Sequence, residues 1–295
     1  MTKDILVIGS SSLLARSFSE YSVYKDRLIF QLRNYQPETL QISDPSDQRE
    51  LERNLRDLPI SVILNFAALA NVEECERDIP AAYKANVQLL RALANWIIQK
   101  RPQTFLLNIS TDHVYDSPLG QKAKEDEVIP KNVYALTKLM GELSTVGVAT
   151  CNLRTNFFGK SFTRKATFSD WILGEAKVGR SIDAFSDIFF TPVSTVTLAA
   201  VIDSVIRIKL EGTYNFGCAE VLSKASFIFN LMSELDLDTR LIRSTSINDR
   251  EDLIERPKNM AMDSMKIMEA LALKPISIHD EIKRYKEEIS CSTRS

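Results

Sequence analysis

Histidine and cysteine are scarce in this sequence. Its 295 residues include only two histidines, His113 and His279. A Ser-His-Asp hydrolase or a histidine-ligated zinc site would need one of them, and neither histidine lies in a motif of either kind. The four cysteines are widely spaced and form no Cys-x-x-Cys pair. The sequence therefore predicts no metal site, and reduced thiols in a cytoplasmic protein rather than a disulfide framework.

Long apolar runs and a strong net charge are also missing. No apolar run approaches the ~18 residues of a membrane span, and the N-terminus enters a strand-like run at once rather than a signal peptide. The formal net charge of -2 provides no basic field for nucleic acid or an anionic membrane. The composition, 44% hydrophobic and 26% charged, is that of an ordinary globular protein. We therefore expect neither a nucleic-acid partner nor a membrane.

Short apolar runs alternate with segments of helical character along the first half of the chain. Runs at 4–9, 27–33, 60–68 and 104–109 read as buried strands. The first run is followed by small residues and then a helix, as in the opening unit of a nucleotide-binding fold, where helix N-terminal amides face a pyrophosphate. The alternation predicts an α/β fold with a doubly wound parallel sheet.

Tyr134 and Lys138 stand four residues apart in a segment of helical character. Four residues advance ~6 Å and a little over one turn, so both side chains lie on one helix face. A Lys ammonium ~4 Å from a phenol, at an effective dielectric of about 20, favours the phenolate by roughly 4 kcal/mol, or about 3 pKa units at most. A tyrosine altered in this way can act as a general acid or base near neutral pH. The alternative is an exposed helix that carries the two residues incidentally.

Three motifs carry a resemblance to a known family. Ser110-Thr111-Asp112-His113 precedes Tyr134-Ala-Leu-Thr-Lys138, and Arg256-Pro257-Lys258-Asn259 lies near the C-terminus. The motifs and their order resemble the extended short-chain dehydrogenase/reductase family, specifically its dTDP-4-dehydrorhamnose reductase-like branch, over nearly the whole chain. The resemblance implies a Rossmann-like fold with a smaller C-terminal substrate-binding domain. The expected dinucleotide-binding domain covers residues 1–160 and about 190–220, and the substrate-binding domain covers about 161–189 and 221–288.

The resemblance also implies a cofactor site, in which the first turn departs from the family pattern. The family has Gly-x-x-Gly-x-x-Gly there, and this chain has Gly9-Ser-Ser-Ser12-Leu-Leu-Ala15. Ser12 places a Cβ where the backbone should approach phosphate, although its hydroxyl could donate to that phosphate. Arg33 follows the second strand, where an acidic residue would bind the ribose of NAD, and a basic residue suits the 2′-phosphate of NADP. We expect NADP(H) to be preferred, with NAD(H) as the alternative. The expected cofactor-binding residues are Gly9, Ser11, Ser12, Leu13, Arg33, Gln41, Ile42, Phe66, Ala67, Ala68, Asn86, Ser110, Tyr134, Lys138 and Asn156.

By the same resemblance the reaction is reduction of a nucleotide-linked 4-keto-6-deoxy sugar for surface polysaccharide synthesis. Thr111 would hydrogen-bond the carbonyl oxygen, Tyr134 would deliver the proton, and Lys138 would lower the tyrosine pKa and hold the nicotinamide ribose. The expected substrate-binding residues are Asp112, His113, Phe157 and Arg256. His113 replaces the usual Tyr of the branch, which affects sugar identity more than reaction type. The resemblance is compatible with a homodimer but fixes no oligomeric state.

Two alternative functions stay open at this stage. One relative of the branch is a regulatory subunit of methionine adenosyltransferase, and the imperfect glycine loop would suit such a non-catalytic NAD(P)-binding protein. A sugar-nucleotide epimerase or dehydratase with bound NAD would share the same three catalytic residues. Dehydratases usually carry acidic residues directly after the Thr, and here His113 follows Asp112. Dehydration is therefore disfavoured.

Overall fold

The computed structural model describes residues 3–34, 36–161 and 167–291. Residues 162–166, inside the expected substrate-binding domain, lie outside this range. The strands are β1 (Ile5–Ile8), β2 (Leu28–Leu32), β3 (Leu40–Gln41), β4 (Val62–Asn65), β5 (Phe105–Thr111), β6 (Thr150–Thr155), β7 (Phe157–Phe158), β8 (Ile182–Phe185), β9 (Phe189–Phe190), β10 (Val193–Ser194), β11 (Gly212–Phe216), β12 (Leu222–Ser223) and β13 (Ile242–Thr245). The helices are α1 (Leu13–Tyr21), α2 (Gln48–Leu55), α3 (Val72–Arg77), α4 (Ile79–Tyr83), α5 (Leu89–Lys100), α6 (Val133–Leu143), α7 (Phe168–Lys177), α8 (Thr195–Ile208), α9 (Lys224–Glu234), α10 (Met265–Leu271) and α11 (Ile278–Cys291).

A seven-stranded parallel sheet forms the centre of the molecule, in the order β11-β6-β5-β4-β1-β2-β3. Both faces of the sheet are covered, which explains why its strands read as continuous apolar runs. Alternate residues of β1 enter different apolar clusters: Ile5 and Val7 face one side, and Leu6 and Ile8 face the other. The predicted α/β fold with a doubly wound parallel sheet is confirmed.

The strand register brings the carboxyl ends of the central strands to one edge. Ile8 pairs with Asn65, and Asn65 pairs in turn with Asn108 of β5. The chain continues beyond Asn108 to Thr111, which pairs with Thr155 of β6. Ligands of open α/β sheets bind at this edge. The register thus places the Ser110-Thr111 motif and the first turn on the same side of the molecule.

The C-terminal part of the chain forms three small two-stranded sheets, in which β7 pairs with β10, β8 with β13, and β9 with β12. α8 packs on α1, and β11 then joins the main sheet beside β6. The division of the chain into two domains stays a prediction. Within the described residues, no helix is both long and apolar enough to cross a membrane.

The helical segment between β4 and β5 is interrupted. α4 is followed by a π-helical turn, Lys84–Gln88, before α5 begins. The turn carries Asn86, whose side chain exchanges hydrogen bonds with the backbone of Leu69 and donates to the Thr137 hydroxyl at 3.0 Å. These contacts tie the turn to α6 and to the loop after β4. They come from distant parts of the chain, so the local pattern could not predict the interruption.

Gly9 provides a test of the turn after β1. Its φ is +83°, and a Cβ at this position would lie 2.5 Å from the backbone nitrogen of Ala67. Gly9→Ala should lower the free energy of unfolding by at least about 1–3 kcal/mol, because the strained backbone and the clash act together. Urea denaturation monitored by circular dichroism measures the change.

The matched control is Gly174→Ala in α7, where a Cβ would meet nothing within 4 Å. That substitution should leave stability unchanged or raise it by up to about 1 kcal/mol, since alanine is the better helix former. Equal unfolding midpoints for the Gly9→Ala protein and the wild type would contradict the close approach of the two backbones.

Candidate active site

A cleft of about 860 Å³ opens at the carboxyl edge of the sheet. The turn after β1, the end of β2 and the loop after β4 line it, together with part of the π-helical turn. The expected cofactor residues that line the cleft are Gly9, Ser11, Ser12, Arg33, Phe66, Ala67 and Ala68. The structure therefore brings seven of the fifteen expected cofactor-binding residues together around one cavity. Contact of these residues with a cofactor stays a prediction.

The turn after β1 has the features of a phosphate cradle. Gly9 lets the backbone pass close to Ala67, and Ala15 is buried against the sheet. Ser12 is the N-cap of α1, and its Oγ accepts a hydrogen bond from the Ala15 N–H at 3.2 Å. The hydroxyl hydrogen of Ser12 remains a donor because the cap uses only the oxygen lone pairs. The cradle thus fits a dinucleotide pyrophosphate at a helix N-terminus.

Ile42, expected to bind cofactor, does not line the cleft, and its contact with a cofactor stays a prediction. Its side chain is fully buried in the apolar cluster beneath α2 and α5. Its carbonyl accepts from the Gln31 amide at 2.7 Å, so both its side chain and its backbone are engaged in the fold. Gln41 is exposed beside the Arg33 carbonyl and, like Leu13, lies outside the cleft lining. The glutamine that does line the cleft is Gln31, which the sequence pattern did not indicate because it reads as an ordinary strand residue.

Asn86 and Ser110 were also expected to bind cofactor. Their side chains instead form hydrogen bonds within the protein. Asn86 holds the Leu69 loop, as described above, and is 1% exposed. The Ser110 hydroxyl donates to the Glu142 carboxylate beneath the site. Both residues are absent from the cleft lining. In this structure they support the walls of the site.

The three expected catalytic residues meet at the end of β5. α6 begins after Asn132, whose side chain caps the Ala135 N–H at 2.9 Å. Its buried face includes Tyr134 and Lys138, because residues four apart share one side of a helix. The Tyr134 ring lies against His113, two residues after Thr111, and the Thr111 hydroxyl acts on the pKa of Tyr134. The Lys138 ammonium donates to the carbonyl of Ile109 at 2.7 Å.

The electrostatics of Tyr134 differ from the expectation. Burial raises the pKa of Tyr134, the Thr111 hydroxyl acts the other way, and the Asp112 carboxylate raises the pKa further. Lys138 is not among the groups that shift it, so the expected lowering of the Tyr134 pKa by Lys138 is wrong for this structure. Desolvation of the phenolate outweighs any attraction to the ammonium, which is directed at the Ile109 carbonyl. Tyr134 therefore holds its proton at neutral pH and can act as an acid.

The pKa of Lys138 is also shifted by its surroundings. Burial lowers its pKa to about 8, and the Glu142 carboxylate partly offsets this effect. The ammonium form thus prevails at pH 7 but is lost a little above it. A lysine with such a pKa can donate hydrogen bonds as an ammonium or exchange a proton near neutral pH.

Asp112, His113 and Asn156 form a polar wall beside Tyr134. Burial raises the pKa of Asp112 to about 6, against the opposing effect of Lys224 and a hydrogen bond from Asn156 at 2.8 Å. Asn156 was expected to bind cofactor, but its amide lies against Asp112. Burial lowers the pKa of His113 to about 3, so the ring is neutral, and its Nδ1 has no hydrogen-bond partner among the described residues. The rings of His113 and Tyr134 pack edge to face at 5.3 Å.

Arg256 and Phe157 complete the expected substrate set. Arg256 forms an ion pair with Glu73 of α3 through Nη2, and its Nε is buried with no partner within the described chain. Its charge contributes to the lowered pKa of His113. Phe157 is half-buried in β7, packed against the main apolar cluster. Substrate contact stays a prediction for both residues.

Two features of the site were missed at the sequence level. One is Lys224, the first residue of α9, whose charge acts on both Asp112 and His113. Its only local signal is a cation in the first turn of a helix, where the helix dipole disfavours it. The other is the buried ion pair between Glu142 and Arg154, at 2.6 Å. The two residues are twelve apart in sequence, on a helix and a strand, so no spacing rule pairs them.

Comparison with known proteins gives a match along nearly the whole chain. The family model described as RmlD substrate binding domain matches residues 2–291. A dTDP-4-dehydrorhamnose reductase from Aggregatibacter actinomycetemcomitans is 26% identical over 297 residues, covering 92% of this chain and 94% of that protein. A solved dTDP-4-dehydrorhamnose reductase from Clostridium acetobutylicum has a TM-score of 0.86 at 23% identity, covering 97% of this chain and 99% of that one. A further one, from Bacillus anthracis in complex with NADP, has a TM-score of 0.85 at 18% identity, covering 98% and 100%. The two structures show a shared fold.

Ser12 gives a test of the phosphate cradle. Ser12→Ala should weaken NADPH binding by roughly 10- to 150-fold, since a hydrogen bond to a charged group contributes about 1.5–3 kcal/mol. Ser12→Gly should bind better than Ser12→Ala, because glycine allows close backbone approach and is the better N-cap. Fluorescence titration of the three proteins with NADPH measures the affinities.

Loss of the helix cap is a separate effect of these substitutions and needs its own control. Ser223 caps α9 and accepts from the Ser226 N–H at 3.0 Å. Ser223→Ala should lower stability by about 0.5–2 kcal/mol without changing NADPH affinity. Unchanged affinity in Ser12→Ala would show that the hydroxyl makes no contact with the cofactor.

Proposed function

The chain belongs to the RmlD substrate binding domain family, and from this we propose that it is an NAD(P)H-dependent reductase of a nucleotide-linked 4-keto-6-deoxy sugar. The observation that carries the proposal is that Tyr134 and Lys138 share the buried face of α6, where the Tyr134 ring packs on His113, two residues after Thr111. This set lies at the sheet edge that also forms the cleft. A non-catalytic binding protein would have no need of a desolvated lysine beside a protonated tyrosine.

The named function of the relatives supports the same reaction. The relative from A. actinomycetemcomitans is named as a dTDP-4-dehydrorhamnose reductase, and we propose a substrate of that class for this chain, used in surface polysaccharide synthesis. Homodimer formation and a cytoplasmic location stay predictions from the sequence.

The side chains of the protein supply the proton and orient the substrate, whereas the hydride comes from the cofactor. A bound nicotinamide supplies a hydride to the carbonyl carbon of the sugar. Thr111 orients the carbonyl oxygen, and Tyr134 delivers a proton to the oxygen as negative charge develops there. Because burial raises its pKa, Tyr134 holds that proton at neutral pH, as a reductase requires. Lys138, whose ammonium donates to the Ile109 carbonyl, would also hold the ribose of the nicotinamide.

The cleft also supports a preference for NADPH. The residues that follow β2 are Arg33 and Asn34, and both line the cleft where a carboxylate would receive the ribose of NAD. Asp44 lies nearby, but its carboxylate is paired with Lys84 across the cleft at 2.5 Å. Arg33 forms no ion pair within the described residues, so its guanidinium is available to the adenosine ribose. An arginine fork matches the oxygens of a 2′-phosphate.

Tyr134→Phe tests the proposed reaction. The substitution should lower kcat by at least about 10²-fold, because the proton donor is lost while the ring still packs against His113. The assay follows NADPH oxidation with a panel of nucleotide-linked 4-keto-6-deoxy sugars, and NADPH affinity is measured in parallel. Tyr24→Phe, remote from the cleft, is the control and should behave as wild type. Near-normal turnover by the Tyr134→Phe protein would remove Tyr134 from the mechanism.

Arg33→Ala tests the proposed cofactor preference. Loss of its contact with the 2′-phosphate should weaken NADPH binding by roughly 10- to 150-fold and leave NADH binding nearly unchanged. Calorimetric titration of both nucleotides gives the ratio of affinities. Arg207→Ala, an exposed site near the end of α8, controls for the loss of a positive charge. Equal losses for both nucleotides, or a wild type that prefers NADH, would contradict the proposal.

A further inference from the structure

The start of α6, the helix that carries Tyr134, is hydrogen-bonded to residues 254–256, here called the tether segment. We propose that Asn132 is a positioning residue, which fixes Tyr134 relative to the tether segment through two hydrogen bonds from one side chain. The inference rests on the proposed function, because it takes Tyr134 as the proton donor. Asn132 itself is assigned no contact with substrate or cofactor.

The carboxamide of Asn132 joins two segments that are far apart in the sequence. Its Oδ1 accepts a hydrogen bond from the Ala135 N–H at 2.9 Å and so caps α6. Its Nδ2 donates to the carbonyl of Glu255, in the tether segment, at 3.0 Å. The residue is only 7% exposed, so water is a poor substitute for either partner. One planar group therefore sets the distance between the first turn of α6 and the tether segment.

The second hydrogen bond depends on the residue type, whereas the first does not. Asn, Asp and Ser cap helices about equally well. An ionised Asp has acceptors only, and the Ser hydroxyl is too short to reach both segments. Only the carboxamide of Asn132 can accept from the helix and donate to the Glu255 carbonyl at the same time. The side chain thus does more than a helix cap requires.

α3 is connected to both of the segments that Asn132 joins. The Glu76 carboxylate accepts from the Val133 N–H at 2.8 Å, at the end of α6 where the helix dipole favours a negative charge. Glu73, also on α3, forms an ion pair with Arg256 of the tether segment. The three connections form a closed triangle of α3, α6 and the tether segment. The Asn132 link is the side of this triangle that sets the tether segment against α6.

An apolar cluster that includes Tyr134 joins the same three parts of the molecule. Its buried members and the partly buried residues packed against them are Val72, Cys75, Ala82, Tyr134, Leu69, Val133 and Ile254. α3, α6 and the tether segment all contribute to it. A shift of the tether segment away from α6 would therefore change the packing around the Tyr134 ring. Displacement of a reacting group by about 1 Å can lower a rate by ~10²-fold.

The link from the tether segment to α6 runs through the backbone of Glu255. The side chain of Glu255 is 69% exposed, and its carboxylate lies 3.6 Å from the Lys131 ammonium. Exposed ion pairs of this kind contribute little to stability. Removing the Glu255 side chain therefore leaves the Asn132 hydrogen bond in place. This residue provides a control in which the tether segment is altered but the link is kept.

The test separates the helix cap from the link by two replacements of Asn132. Asn132→Ser keeps the cap and loses the link, and it should lower kcat of sugar reduction by roughly 10- to 100-fold while NADPH affinity stays unchanged. Asn132→Ala loses both, and it should lower kcat by a similar factor and also lower the unfolding temperature. NADPH oxidation with the nucleotide-linked 4-keto-6-deoxy sugars, NADPH titration and thermal unfolding measure these effects.

The solvent isotope effect distinguishes a displaced Tyr134 from a loss of folded protein. The ratio of kcat in H₂O to kcat in D₂O should be larger for Asn132→Ser than for the wild type, because proton delivery from a displaced tyrosine is slower relative to the other steps. A smaller fraction of folded enzyme would lower the rate and leave the ratio unchanged.

Two control variants should show the wild-type kcat and isotope ratio. Asn71→Ser makes the same exchange at the cap of α3, where Asn71 accepts from the Glu74 N–H at 2.7 Å and forms no second hydrogen bond within the described residues. Glu255→Ala removes a side chain of the tether segment without removing the carbonyl that Asn132 contacts.

Ile254→Ala loosens the tether segment at its other contact. The substitution removes packing against the cluster that includes Tyr134, so it should also lower kcat. In the Asn132→Ser, Ile254→Ala double variant the two losses should be less than multiplicative, because both changes release the same segment. The four kcat values of this cycle give the coupling between the two residues.

The outcomes distinguish this inference from the proposed function. Wild-type kcat in Asn132→Ser, or a lowered kcat with an unchanged isotope ratio, would overturn the positioning role and leave the reductase proposal intact. Multiplicative losses in the double variant would overturn it as well. A wild type that oxidises NADPH with none of the sugars would overturn the proposed function, and the role of Asn132 with it.

Discussion

The buried ion pair between Glu142 and Arg154 connects the parts of this molecule on which its site depends. The Glu142 carboxylate receives hydrogen bonds from Ser110 at the end of β5 and from Arg154 of β6, while Glu142 itself lies on α6. Arg154 continues the network to the Tyr115 hydroxyl at 2.6 Å. Removing one member of a buried pair typically costs about 3–5 kcal/mol, since the other charge is left unpaired. This pair therefore holds Thr111, Tyr134 and Lys138 in register.

Burial, more than any charge pair, sets the protonation of the site. Burial raises the pKa of Tyr134 and of Asp112 and lowers that of Lys138 and of Lys224, so every one of these groups moves toward its neutral form. Water-excluded surroundings disfavour charge and at the same time strengthen the electrostatic interactions that remain. A buried tyrosine with a raised pKa is protonated at neutral pH and can therefore donate a proton. This suits reduction of a ketone, in which the oxygen gains a proton.

The fold by itself does not select the reaction, because one fold hosts many chemistries and the site decides among them. The catalytic trio supports hydride transfer with proton delivery. Asp112 and His113 directly follow Thr111 in the chain, and the His113 ring packs on Tyr134. Sugar selectivity is therefore expected to depend on these two residues.

Local sequence patterns determined the parallel α/β fold, the family and the approximate places of the strands, and these predictions are confirmed. They succeeded because apolar runs, small turn residues and the Tyr134–Lys138 spacing act within a few residues of one another. Tertiary structure alone decided the interruption at Lys84–Gln88, the burial of Ile42 and the pairing of Glu142 with Arg154. It also decided the direction of the Tyr134 pKa shift and the position of the Lys224 ammonium. Each depends on packing between segments far apart in the chain, and desolvation, which sets these pKa values, is a property of the assembled interior.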